Sequence, residues 1–562
     1  MIVYLDIETN LAHNRIWCVW TKKGDEWKEW RSPEGFQSYL DGHEVCAHNL
    51  IGFDAPVLRK VWGITIPIGK AVDTLVMARL LDPVASLPPI PDTYDKEKVS
   101  QHSLAAWGLR AGCNKMNFDL EDFDAGYTEQ MSEYCKQDVA VLEAVHKHIV
   151  KQFSKWGGDQ GKFSLELEHR VAMYMAQQER NGFKLNVRMA TELLAEMRTR
   201  MNDITFELQE RWPPIVEERY SEKTGKRLKD KVTEFNVGSR KQIADRLISD
   251  GVKLKDKTEN GAWIVDEPTL KALNNPVADM IAEYLMLQKR VGMIDSWIEA
   301  ADSYDRVHGR VLSNGTITGR MTHSKPNMGQ ITSVKSEYGK ESRSCWTVED
   351  GYNLVGCDLS GIELRCLAHY MKDEAYTYEL LEGDIHTANQ QAAGLETRDQ
   401  AKTFIYALLY GAGPAKIGSI VGGSAHQGKI LIDKFMRNMP ALNKLLKKVQ
   451  NLAKEGFVPA LDGRRVQIRS EHAALNSLLQ SAGAVIAKQW CLEMHKLLRK
   501  EKIEYKQVAF VHDEIQLEVR EDQAKQAAVC MVAAAQLAGI TLGFRVPVDA
   551  EAKIGKTWYD TH

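Results

Sequence analysis

Tyr352-Asn-Leu-Val-Gly-Cys-Asp358-Leu-Ser-Gly-Ile-Glu363-Leu-Arg365 is the stretch whose reading decides the fold. Tyr352 to Leu359 has the pattern of a buried strand that delivers Asp358 at its end, and Ser360-Gly361 then opens a helix. Ser360 and Glu363 also match a capping box, which would account for Glu363 without any substrate. Both uses of Glu363 stay open. Far downstream, Val508 to Val511 and Ile515 to Val519 flank His512-Asp513-Glu514, the pattern of a β-hairpin with an acidic tip. Between these two elements a helix opening near Arg398 sets Arg398, Lys402, Tyr406 and Tyr410 at four-residue steps, and Gly411-Ala-Gly-Pro414 ends it. Alone, the tip is an ordinary polar turn and the helix stripe a solvated basic face. Together they suit a nucleoside triphosphate, with Arg398 and Lys402 offsetting phosphate charge near a helix start and Tyr406 stacking on base or sugar.

A second set of carboxylates stands at the N-terminus. Ile2 to Ile7 favours a strand, and a strand sends residues two apart to one face, so Asp6 and Glu8 project together. Asn49 and Asp54 lie in His48-Asn-Leu-Ile-Gly-Phe-Asp-Ala-Pro56, where glycine and then proline mark a turn into a helix that Asp54 would equally well cap. Tyr134 and Asp138, four apart in a helical stretch, share a face. The ordered set Asp-x-Glu, Asn-xxx-Phe-Asp and Tyr-xxx-Asp resembles the DnaQ-like proofreading exonuclease domain over roughly residues 1–150. By that resemblance Asp6, Glu8, Asp54 and Asp138 are metal ligands and Tyr134 positions the attacking water. The chemistry has a reason: two metals about 3.5–4 Å apart activate water and stabilise the leaving oxygen in phosphodiester hydrolysis.

The other elements resemble motifs A, B and C of family A DNA polymerases: Asp358-Leu-Ser-Gly-Ile-Glu-Leu-Arg, Arg398-xxx-Lys402-xxx-Tyr406-xxx-Tyr410-Gly and His512-Asp-Glu, in the family's order. Thr318-Gly-Arg320, Pro326-Asn327 with Gln330, Asp384-Ile-His-Thr387, and Asn476 with Gln480 extend the match to nearly the whole chain. Gly383-Asp-Ile-His-Thr, Ala401-Lys-Thr-Phe-Ile-Tyr and Leu475-Asn-Ser-Leu-Leu-Gln-Ser-Ala-Gly-Ala resemble the replicative branch of short-tailed phages of the T-seven type. The resemblance implies that Asp358 and Asp513 bind the catalytic metals, with the backbone carbonyl of Leu359 completing one coordination sphere. It further implies that His386, Arg398 and Lys402 hold the triphosphate, Tyr406 packs on the sugar, Tyr410 sits at the templating base, and Glu363 crowds a ribose 2′ position. Arg320, Gln330, Asn476, Gln480 and His512 would contact DNA.

The implied fold is α/β and multidomain: an RNase H-like exonuclease domain over 1–155, ending near Gly157-Gly158, then a right-hand polymerase over 156–562. Its thumb is expected at about 165–300, its palm at about 301–374 and 456–562, and its fingers at about 375–455. Two Mg²⁺ or Mn²⁺ per active site, primer–template DNA, dNTPs and a replicative helicase-primase are the implied cofactors and partners. Thr224-Gly-Lys226 is followed so closely by Phe235-Asn-Val-Gly-Ser239 that little room remains for the thumb insertion by which thioredoxin-requiring relatives recruit that protein. Thioredoxin dependence is not expected, and a monomer is.

Composition agrees with this and narrows the setting. With 562 residues, 44% hydrophobic and 27% charged, the chain is folded along its length into several domains. The net charge of −3 does not exclude nucleic acid, because binding follows local clusters such as Arg219, Lys223, Lys226, Arg227, Lys229 and Lys231 in an expected basic loop. Nine cysteines without a CxxC pair, no signal segment and an apolar stretch at Ala527 to Ile540 too short to span a bilayer point to a reducing cytoplasm with no membrane partner, and the resemblance to phage replicases implies that this cytoplasm is bacterial. Three rivals fit less well. A single-subunit RNA polymerase lacks the exonuclease and disagrees with Glu363. A nuclease with a degenerate polymerase half disagrees with the complete charged set of the three motifs. A non-enzymatic DNA-binding protein has no use for two carboxylate sets.

Overall fold

A computed structural model describes residues 1–92, 94, 96–116, 124–156 and 160–562. Gly157-Gly158, where the sequence reading ends the first domain, lie outside the described residues.

The N-terminal unit is built on a five-stranded sheet of β1 (Ile2–Thr9), β2 (Ile16–Lys23), β3 (Glu26–Trp30), β4 (Glu44–Ala47) and β5 (Ala71–Asp73), in the order β3-β2-β1-β4-β5. β1 pairs antiparallel with β2 and parallel with β4, so it lies at the centre. Val3, Leu5 and Ile7 are buried in a core shared with Val139, Leu142, Val145 and Ile149 of the helix Glu129–Phe153. That helix starts at Thr128, whose hydroxyl accepts from the Met131 amide, and it lays its apolar stripe across the sheet.

The rest of the chain surrounds a four-stranded antiparallel sheet in the order Tyr505–Val511, Glu514–Arg520, Tyr352–Leu359, Ala550–Gly555. The strand and the hairpin expected from the sequence form, and the two-residue turn between the hairpin strands is His512-Asp513, with His512 at φ 59°. Helices Ala474–Lys500 and Ala524–Thr541 pack in the same core, and Trp490 Nε1 donates to the Met531 carbonyl at 2.8 Å. The apolar stretch seen in the sequence is spent there: Ala527, Met531, Ala534, Ala535 and Ala538 are buried. A second core joins the helices Val187–Arg211 and Pro276–Ala300 to Trp346, Trp558 and Val508.

The basic segment is a hairpin rather than a plain loop. Ile215–Glu217 pairs with Lys231–Thr233, and Ile215, Val216 and Val232 remain exposed. Part of its charge is already neutralised, because Arg227 pairs with Glu218 and Asp230, and Lys231 with Glu217. All nine cysteines are free.

Candidate active sites

Asp6 and Glu8 arise from the central strand β1, and the helix Glu129–Phe153 crossing it supplies Tyr134, Cys135 and Asp138. Ligand atoms of Asp6, Glu8 and Cys135 lie within 4.8 Å of one another. The Cys135 thiol donates to the Asp6 carbonyl at 3.3 Å. Asp54 stands just before the helix Ala55–Trp62 without bonding its amides, so it is no cap and its carboxylate is free for other use. The loop that carries it is held by Asp73, whose carboxylate accepts from the Asn49 and Ile51 amides at 3.0 and 2.9 Å while also capping the helix Thr74–Leu81. Desolvation and then the charge of Asp138 push Asp6 up to about 7; desolvation and then Asp6 push Glu8 up to about 10. Asp54 is driven well up by burial and then by Asp6. Four carboxylates thus crowd one site, and Lys115 partly balances them by an ion pair of 2.5 Å to Asp138 Oδ2. Asp138 Oδ1 is buried without a partner. A hard-oxygen donor set, mutually repelling and left with an orphaned oxygen, fits divalent cations. Tyr134 lies alongside, its ring centroid 4.9 Å from Lys115 Nζ, and burial holds its hydroxyl protonated.

Backbone register builds the second site. Asp358 pairs with Glu514 across the sheet, and the Leu359 amide donates to the Asp513 carbonyl at 3.0 Å, so Asp358 and Asp513 meet at one edge. Desolvation in the cleft, then Asp513, Glu514 and Glu363, raise Asp358 to about 7; desolvation and then Glu363 raise Asp513 to about 6. This pair also fits a divalent cation by its donor chemistry. Glu514 turns away and is tied down by Trp558 Nε1, by Gln516 Nε2 at 2.6 Å and by His562 Nδ1 at 3.1 Å.

The capping box at Ser360 does not form. Gly361 is the residue before the helix Ile362–Met371, at φ 58°, and no side chain caps that helix. Glycine adopts the left-handed turn without strain, so Glu363 is released from the helix end. Its Oε1 instead accepts from the Tyr410 hydroxyl at 3.0 Å and lies 3.7 Å from Arg320 Nη2.

The expected motif helix runs Arg398–Leu409, begins with a capping box of Thr397 and Gln400, and ends at Tyr410. Tyr406 is 6.3 Å, ring to ring, from His386 at the start of the helix Ile385–Ala393. Desolvation, Arg398 and Lys402 lower the His386 pKa, so three potential cations share one wall. Arg398 is aimed by Asp384, which accepts from its Nε at 2.7 Å and caps the His386 helix. Arg320, His512 and Asp513 line one groove with Gly483 of the helix Ala474–Lys500. Asn476 and Gln480 are partly exposed, four apart on that helix. Gln330 is exposed on the turn Met328–Gln330 and does not line the groove.

Sequence reasoning missed Lys115, Cys135 and Asp73 as supporting residues, and quoted Asp384 within a motif without giving it a role. Asp384 and Asp73 had a readable signal as helix caps; Lys115 had none.

The family model for DNA polymerase family A matches residues 211–560. The DNA-directed DNA polymerase of Enterobacteria phage T3 is 31% identical over 99% of this chain and 99% of its own length. That of Escherichia phage T7 is 31% identical over 94% of this chain and 95% of its own. The thermostable DNA polymerase I of Thermus aquaticus is 26% identical over 94% of this chain and 59% of its own length. Among solved structures, the POL domain of Pol1 from M. smegmatis, in complex with DNA primer-template and dNTP, aligns with a TM-score of 0.80 at 18% identity, covering 99% of this chain and 95% of that one. The match to the T3 enzyme spans 707 positions against 562 residues here, so that relative carries segments this chain lacks.

Proposed function

The chain belongs to DNA polymerase family A and is a DNA-directed DNA polymerase, and from that premise we propose that its N-terminal unit is a 3′→5′ proofreading exonuclease. The observation that carries the second activity is the crowding of Asp6, Glu8, Asp54 and Asp138 around a site where Asp138 keeps a buried oxygen without a partner. A DNA-binding fold has no reason to bear the free-energy cost of such like charges.

In the polymerase site, Asp358 and Asp513 with the Leu359 carbonyl would hold two divalent ions; in the exonuclease site the four carboxylates would. Such ions supply charge stabilisation at the phosphorus and activation of the attacking oxygen. The protein's own residues do the positioning. His386, Arg398 and Lys402 receive the triphosphate, with Arg398 held in place by Asp384. Tyr406 faces the sugar, and Tyr410 stays at the templating position through its bond to Glu363. Arg320 and His512, beside Asp513, face the primer end, with Asn476, Gln480 and Gln330 farther along the duplex. In the other site Tyr134 holds the attacking water.

We assign 1–155 to the exonuclease, about 165–300 to the thumb, 301–374 and 456–562 to the palm, and 375–455 to the fingers; a separate apolar core running from Val3 to Phe153 supports the first boundary. Primer–template DNA, dNTPs and a helicase-primase are the partners in phage or prophage replication, the setting in which its T3 and T7 relatives occur. A labelled primer–template incubated with Mg²⁺, with and without dNTPs, tests both activities. Extension with dNTPs and shortening without them is expected; extension without any shortening would remove the exonuclease.

A further inference from the structure

The seam between the N-terminal unit and the helix Gln160–Asn181 holds a cleft of about 790 Å³ that neither carboxylate site uses. Its floor is aliphatic, with Ile51, Ile66 and Met173, and its walls carry Arg59, Lys60 and Arg180. Among the described residues no aspartate or glutamate lines it. Among the described residues Arg59 and Lys60 form no ion pair, and Arg180 only donates to Gln177 Oε1 at 3.2 Å. Arg59 on the helix Ala55–Trp62 and Arg180 on the helix Gln160–Asn181 are near enough for their charges to oppose one another. In a chain of net charge −3, three cations without an ion pair around an apolar floor form a local exception, although Glu179, next to Arg180 in sequence, partly offsets the charge of Arg180.

The cleft also borders the chain segment that carries Asp54 of the first carboxylate site. Ile51, Ala55 and Pro56 line it and bracket Asp54 in sequence. His13 lines it too, packs edge-on against Phe53 at 4.9 Å and shares a 2.9 Å hydrogen bond with Thr9, the neighbour of Glu8.

We propose that this cleft is a subsite for single-stranded DNA, seating one unpaired nucleotide with its phosphate between Arg59 and Arg180 and its base on the aliphatic floor. The proposal rests on the exonuclease reading of the adjoining carboxylates. Its volume falls within the range of about 300–1,000 Å³ common for ligand clefts. Guanidinium groups suit phosphate oxygens by shape and charge, and an anion between two of them relieves their mutual repulsion. A base lying on Ile51 and Met173 must be unpaired, which selects single strands over duplex.

The test is fluorescence anisotropy of a labelled oligo(dT) with the full chain in EDTA, so that nothing is cut, across a salt series. Arg59→Ala/Arg180→Ala is compared with the parent and with Arg59→Lys/Arg180→Lys, thermal melting serving as the control for folding. The alanine pair should lose affinity by about tenfold, and its log-affinity against log-salt slope should flatten by about 0.7 for each phosphate that is no longer neutralised. The lysine pair should recover most of both. Parent-like affinity and slope in the alanine pair would overturn the subsite, and so would an equal loss in both pairs, since charge would then not be what binds. Failure of the exonuclease reading shows separately, as absence of oligo(dT) shortening by the parent once Mg²⁺ is added.

Discussion

Replacing Glu363 by alanine isolates what this carboxylate does for substrate choice, because the structure removes its competing role. Gly361 starts the helix Ile362–Met371 without a side-chain cap, so the roughly 1 kcal/mol that a cap is worth does not enter. The substitution removes the bond from the Tyr410 hydroxyl, at 3.0 Å, and a looser approach to Arg320 at 3.7 Å. The same change relieves the repulsion that Glu363 exerts on Asp513 and Asp358. These effects oppose each other, and the Glu363 side chain is 24% exposed, so the net stability change should stay within about 1 kcal/mol. Selectivity should change more. A wall that rejects an added hydroxyl by contact is worth about 1–3 kcal/mol, so preference for dNTP over NTP should fall roughly tenfold to two-hundredfold. Single-nucleotide insertion with dNTP and NTP on a labelled primer measures it, with a thermal melt run alongside. Glu363→Gln keeps the volume and an oxygen for Tyr410, and should retain most of the preference. An alanine variant with the parent's ratio would refute the reasoning; a glutamine variant as permissive as alanine would show that charge, not volume, selects.

Asp6→Ala should abolish shortening and leave extension, and Asp358→Ala should do the reverse; loss of extension in a folded Asp6→Ala protein, read on the same gel, would contradict two separate sites. Tyr406→Phe should restore discrimination against dideoxynucleotides that the parent accepts nearly as well as normal ones, and equal termination by both proteins in a competition assay would count against it. With Asp358 at about 7 and Asp513 at about 6, both above the usual carboxylate range, the folded protein binds more protons than the unfolded chain in the window between. Their contribution therefore falls as pH rises through that window, and Mg²⁺, which replaces those protons, should raise the melting temperature more at about pH 8 than at about pH 5.5, as calorimetry would show. Thioredoxin should leave product length unchanged in single-encounter extension with a DNA trap, where a large gain would sink the idea; in the same assay neutralising Lys226 and Lys229 should shorten products more than neutralising Arg227, which Glu218 and Asp230 already engage.

The parts legible in the sequence are those fixed by short-range periodicity. A buried strand that delivers Asp358 near its end, a two-residue acidic turn and a four-residue stripe on one helix each follow from a few neighbouring residues, and all three form where the pattern put them. The same locality misled at Ser360, where the capping-box spacing is present but Gly361 takes the left-handed turn and frees Glu363 to meet Tyr410, forty-seven positions away. Spacing alone offers no means of choosing between a cap and a distant phenol.

What was not legible is long-range compensation of charge. Glu168 is fully buried and receives Lys488 at 2.5 Å and Arg464 at 2.7 Å, and Arg464 in turn grips Asp462. None of these four sits in a motif, and Glu168 and Lys488 are 320 positions apart. Yet a buried carboxylate between two buried cations tolerates no loss of one member, since breaking such a set costs about 3–5 kcal/mol. The network ties the helix Gln160–Asn181, which forms one wall of the basic cleft, to the helix Ala474–Lys500, which carries Asn476 and Gln480. Arg464 also closes over Gly319, where an added Cβ would collide with its guanidinium and where φ is +78°. The glycine before Arg320 is thus required both by its own left-handed backbone and by a residue far away in sequence, held by an ion network that local pattern cannot announce.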